Sequence, residues 1–197
     1  MKRSTRDEAL LADYVSAFTR LDNTTRPSVP AELRVGTDEH GELLWQPGRY
    51  TTPVSALDAL YRGMGFSGEG SCRFPRLYER LVVSYRWMEV DLGIYRLLAN
   101  PPADDLSPLQ AAMCNDKHLF EVLASNGFVQ FGMGPDLDYD PICFDFRNRR
   151  QGGDCRVVKL DHEVILCHGR IRETGELAPS FRSLVMDTIR MAGGKHV

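Results

Sequence analysis

The chain has 197 residues, 43% of them hydrophobic and 26% charged, and its 24 Lys+Arg against 27 Asp+Glu leave a formal net charge of -3. That supplies one core of ordinary size, gives no basic excess to suggest a nucleic-acid or membrane surface, and leaves no segment near the roughly 18 apolar residues of a membrane span. Five cysteines, Cys72, Cys114, Cys143, Cys155 and Cys167, form an odd set without a C-x-x-C pair, and MKRSTRDEALLADYV has no signal-peptide pattern, so a protein of the reducing cytoplasm is expected.

Between Asp7 and Leu21 the residues Leu10, Leu11, Tyr14, Val15, Phe18 and Leu21 recur at three and four, which predicts a helix with one buried face. Residues 22–53 lose that period; within them VGTDEHGELLW fits a short hairpin turning at Glu39 to Gly41. Ser55 with Asp58 resembles a capping box for a helix whose apolar face is Leu57, Leu60, Tyr61 and Met64. The glycine-rich GMGFSGEGS after it lacks the G-K-[ST] of a phosphate loop and reads as a connector.

Pro75 opens a helix pattern carried by Leu77, Tyr78, Leu81, Val82 and Tyr85, after which WMEVDLGIYRLL favours extended chain up to Pro101-Pro102. Ser107-Pro108 opens one long helix containing Leu109, Ala112, Met113, Leu119, Phe120 and Leu123, closed by Asn126-Gly127. FVQFGMG, PICFDF, CRVVKLD and EVILCHGRI then read as strands of an antiparallel meander, and Pro179 returns the chain to a helix with Phe181, Leu184, Val185, Thr188 and Ile189 inside. The expected architecture is α+β, a twisted and mainly antiparallel sheet with helices packed against it.

Asp136, Asp138 and Asp140 have the D-x-D-x-D spacing of a calcium loop, but Pro141 and Arg147 stand where an EF-hand needs its sixth-position glycine and twelfth-position glutamate. An exposed, partner-facing turn is the better reading, followed by a strand burying Ile142, Phe144 and Phe146 on one side and leaving Cys143 and Asp145 on the other. His162 and His168, drawn as a strand, would lie about 20 Å apart and could not share a metal, so Asp161 to Glu163 is expected to be a polar strand end. Cys143 between Ile142 and Phe144 reads as a buried small hydrophobe, and Arg147, Arg149 and Arg150 form a basic loop able to face an acidic partner. No cofactor motif and no G-x-S-x-G or H-E-x-x-H is present.

Three stretches in order, FPRLYERL (Phe74 to Leu81), YDPICFDF with CRVVKLDHE (Tyr139 to Glu163) and LAPSFRSLV (Leu177 to Val185), resemble the SUKH superfamily of fungal cell-wall-synthesis regulators and bacterial immunity proteins. Residues 70–197 would be the SUKH-like domain and residues 1–69 an N-terminal helical extension and loop. The resemblance implies a non-enzymatic domain that binds a protein partner, such as a cognate toxin, with Pro75, Phe144, Asp145, Ser180 and Phe181 in structural roles. It implies no cofactor, no nucleic acid and no membrane. The competing expectations are a small hydrolase or metal-dependent enzyme using Asp136 to Asp145 with His162, and a regulatory adaptor in cell-envelope control.

Overall fold

The period read between Asp7 and Leu21 becomes helix α1 (Lys2–Leu21) in the computed structural model, which describes residues 2–22, 25–66, 73–147 and 153–194. Its buried face is Leu11, Tyr14, Val15, Ala17 and Phe18. The expected hairpin forms from β1 (Arg34–Thr37) and β2 (Leu43–Trp45), where Asp38 accepts from the amides of His40 and Glu42 at 2.9 and 2.8 Å. β3 (Gly48–Arg49) precedes α2 (Ser55–Gly63), and its capping box does not form. Val54 takes the cap position, because Pro53 and Val54 carbonyls already bind the Ala56 and Leu57 amides that a side chain would have served.

α3 (Arg76–Ser84) runs into β4 (Tyr85–Arg86), which pairs with β3. β5 (Val90–Asp91) and β6 (Arg96–Leu97) follow, and the single long helix expected next is two: α4 (Ser107–Met113) and α5 (Lys117–Ser125). The break arises because Asp116 caps α5, its carboxylate accepting the Leu119 amide at 2.9 Å. β7 (Phe128–Met133), β8 (Pro141–Asp145) and β9 (Val157–Leu160) continue the sheet. EVILCHGRI is not a strand. Asp161 caps the Val164 amide at 2.8 Å and Gly169 ends the turn at φ 59, so the segment becomes helix α6 (His162–His168), and β10 (Glu173–Ala178) supplies the strand instead. The last element is α7 (Phe181–Gly193), capped by Ser180.

The fold is α+β, with β5 to β10 forming a six-stranded antiparallel sheet whose spatial order is its chain order. Helices lie on both faces. On one, Phe131 and Phe144 stack at 4.1 Å and meet Tyr78 of α3 and Phe181 of α7 edge-on; on the other, Phe128, Cys143 and Val158 pack on Leu123 of α5 and Ile165 of α6. Residues of α1 share the first of these cores with α3 and α7. Gly132 permits the tight β6–β7 pairing, since a Cβ there would sit 2.6 Å from the Arg96 carbonyl. Among the described residues no helix is long and apolar enough to cross a membrane.

Two-sided covering corrects the reading of PICFDF. Cys143 is fully buried, as expected, but Asp145 is buried too instead of facing water. Its oxygens take hydrogen bonds from the Arg147 amide at 3.0 Å, Arg147 Nε at 2.9 Å and Arg156 Nε at 2.9 Å, while Arg156 reaches on to Glu173 and Glu176. Burial opposes its ionisation, and these donors outweigh burial, holding the Asp145 carboxyl below the usual carboxylate range.

Further polar groups lie deep in the core. Arg86 is fully buried and donates to the carbonyls of Val82 and Tyr85 at 2.6 and 3.2 Å and to Thr52 Oγ1, with its guanidinium 4.7 Å from the Tyr50 ring centre. The Tyr14 and Tyr95 hydroxyls bond each other, whereas the Tyr78 hydroxyl has no partner among the described residues. An orphaned buried hydroxyl costs roughly 1–3 kcal/mol. Tyr78→Phe is therefore expected to stabilise the fold by about 1 kcal/mol in urea denaturation; a loss of similar size would show that this hydroxyl is satisfied.

Candidate functional site

One end of the sheet gathers Asp136, Asp138, Asp140 and His162, whereas Arg147 follows Asp145 at the opposite end. Arg96 stands opposite Met133, and Met133 opposite Pro141, so the β5–β6 turn, the loop 134–140 and the β9–α6 junction all emerge together. The loop is short and internally bonded: the Gly134 amide donates to the Asp140 carbonyl at 2.9 Å, and the Asp138 amide to the Pro135 carbonyl at 3.0 Å. Arg96 pins it from β6 by donating to the Gly134 carbonyl at 3.0 Å, and Asp136 turns it with a φ of 54.

The three aspartates do not converge. Asp136 is exposed and makes no ion pair among the described residues, whereas Asp138 is bound by Lys159. Asp140 accepts the His162 amide at 3.0 Å, contacts His162 Nδ1 at 2.9 Å and lies 3.4 Å from Lys159 Nζ. Burial raises the Asp140 carboxyl and these partners lower it further, leaving it below the usual range. Of the alternating acids, one faces outward and two tie the loop to the sheet and to α6.

Arg147 leans over the Phe128 ring at 4.2 Å while serving Asp145, so much of its donor capacity is already used. Arg149 and Arg150, like Cys72 and most of the glycine-rich connector, lie outside the described residues. Because α6 is a helix, His162 and His168 lie about 9 Å apart along its axis, closer than a strand would set them. Among the described residues no three His, Cys, Asp or Glu side chains gather as a metal set.

His162 and Tyr139 border a cleft of about 530 Å³, lined also by Glu89, Leu98, Ala112, Asn115, Asp116, Leu119, Gln130, Met133 and Leu166. The His162–Asp140 contact is the convergence of histidine and carboxylate that a hydrolase would need. Lys159 joins Asp140 from β9, and among the described residues that line the cleft there is no serine, threonine or cysteine. Glu89, Asn115, Asp116 and Gln130 went unmarked in the sequence; only the Asn115-Asp116 pair carried a signal, as a helix break.

Two exposed apolar side chains line this cleft, Tyr139 of the loop and Leu166 on α6, and two more, Ile94 in the β5–β6 turn and Leu137 in the loop, belong to segments that emerge at the same end of the sheet. Leu137 is 82% exposed, at the tip of a loop that is otherwise polar. The chain matches no protein-family model and no curated protein.

Proposed function

We propose that the protein is a non-enzymatic binding protein that acts by covering part of another protein, and that its partner is a toxin, as for the immunity proteins of the SUKH superfamily that its sequence resembles. The observation that carries the reading is the presence of four exposed apolar side chains, Ile94, Leu137, Tyr139 and Leu166, on segments at one end of the sheet, two of them on the cleft. Apolar side chains exposed singly are ordinary, but several at one end of a sheet mark a surface that a partner removes from water. The resembling segments support the same division of labour. Phe74, Tyr78, Phe144 and Phe181 build the aromatic core, so those motifs chiefly specify the fold, and Tyr139 at the start of one of them belongs to the loop left for recognition.

Co-expression with the product of the neighbouring gene is expected to give a stoichiometric complex in which that product is inactive. Leu137→Asp combined with Tyr139→Ala should weaken the complex about a hundredfold, the scale of losing a central anchor. Asp136→Asn should slow association a few-fold and lower its salt dependence, with little change in dissociation. Absence of both binding and neutralisation would sink the immunity reading; a complex indifferent to the double substitution would place the binding face elsewhere.

A further inference from the structure

Resting on the reading that this end of the sheet binds a protein, we infer that the cleft receives a basic side chain of the partner, an arginine in the first instance. The inference starts from what the walls can offer. Leu98, Ala112, Leu119, Met133 and Leu166 supply apolar surface; Glu89 and Asp116 supply carboxylates; no lysine or arginine is among the lining residues. An anionic ligand would meet two negative charges, with Arg96 already turned to Glu89.

The remaining polar groups are acceptor-biased. Gln130 is 8% exposed and spends its Nε2 on the Gly132 carbonyl at 3.1 Å, so its Oε1 is left without a partner among the described residues. Asp116 uses one oxygen on the Leu119 amide and keeps the other. Glu89 has Arg96 only at 3.5 Å and stays nearly half exposed. His162 has committed Nδ1 to Asp140, which fixes the ring on the wall.

A purely apolar ligand would bury Gln130 and Glu89 without donors, at a desolvation cost. A guanidinium on an aliphatic stem meets both demands: the stem lies on the leucine and methionine surface, and several N–H donors reach Glu89, Asp116 and Gln130 Oε1. Tyr139 also lines the cleft, an aromatic ring of the kind that attracts such a cation. A volume of about 530 Å³ accommodates that side chain with a neighbouring apolar one.

The test is an amide chemical-shift titration of the full chain with N-acetyl-arginine methylamide, and in parallel with its neutral isostere, the citrulline analogue. Saturable shifts at Leu119, Gln130 and His162 are expected, with the citrulline analogue about tenfold weaker. Glu89→Gln with Asp116→Asn should abolish that preference while α5 persists, since asparagine also caps helices. Equal binding of the two analogues, or shifts mapping elsewhere, overturns the assignment. A partner complex unaffected by the double substitution also overturns it and leaves protein binding standing. Arginine-selective shifts in a chain that forms no complex keep the cleft chemistry and remove the protein-binding reading.

Discussion

Asp145→Ala is expected to lower the unfolding free energy by about 3 kcal/mol, the lower end of what breaking a buried ion pair costs. The lower end applies because Arg147 and Arg156 remain 46% and 25% exposed, so water compensates them in part once the carboxylate is gone. The Arg147 amide, by contrast, loses its acceptor. Urea denaturation with unchanged m-value measures the loss, and a value under about 1 kcal/mol would mean that Asp145 is solvated in the folded chain. Asp145→Asn adds a pH signature. The folded carboxyl titrates below the unfolded one, so its contribution is whole above the unfolded value of about 3.9 and is lost as pH falls through the lower folded value. Wild type should lose stability over that acid range more steeply than the asparagine variant. Asp7 and Asp140, whose carboxyls are also held low, keep the variant's slope above zero.

Arg86→Ala is expected to cost about 3 kcal/mol, by a different route. No carboxylate lies within ion-pair distance of Arg86 among the described residues, and burial pulls its pKa down from the ordinary arginine value. What holds it is a ring of oxygens, from Val82, Tyr85 and Thr52, together with the Tyr50 face. Truncation leaves Thr52 unpaired and opens a cavity beneath the segment 103–105. Arg86→Lys should lose most of the same stability, since one ammonium cannot span from the Val82 carbonyl to Thr52 as a forked guanidinium does. Arg86→Met should cost less than alanine, because it keeps the volume and has no charge to desolvate. A lysine variant as stable as wild type would refute the fork.

The elements most legible in the sequence were those whose periodicity matches one-sided burial, such as α1 with Leu11, Tyr14 and Phe18, and α7 with Phe181, Leu184 and Val185. EVILCH misled because Val164, Ile165 and Leu166 weigh toward extended chain, while the decisive groups were the caps on either side, Asp161 and Gly169. In that helix only Ile165 is fully inside. β10 was illegible for the opposite reason: ETGELA is an edge strand with Ala178 alone buried, and its conformation is set by pairing with β9. Asp145 looked solvent-facing because strand alternation says which residues share a face, but not that α5 and α6 cover the second face. The cleft was hidden for the same reason, since Glu89, Asp116, Gln130 and His162 meet only when four separate segments are brought together.

The consecutive strand order also sets a timetable. Each strand from β6 to β10 pairs with its immediate predecessor, so, apart from the connection through α4 and α5, the sheet can zip up by local loop closures as the chain emerges, which favours rapid formation. α1 has no such neighbour. Its clasps are Asp7 to Arg80, Tyr14 to Tyr95 and Asp7 to Arg182, the last across a separation of 175 residues, so α1 is fully locked only when α7 arrives. Until that moment the part of its apolar stripe that α7 covers is exposed, and the nascent chain carries an aggregation hazard there.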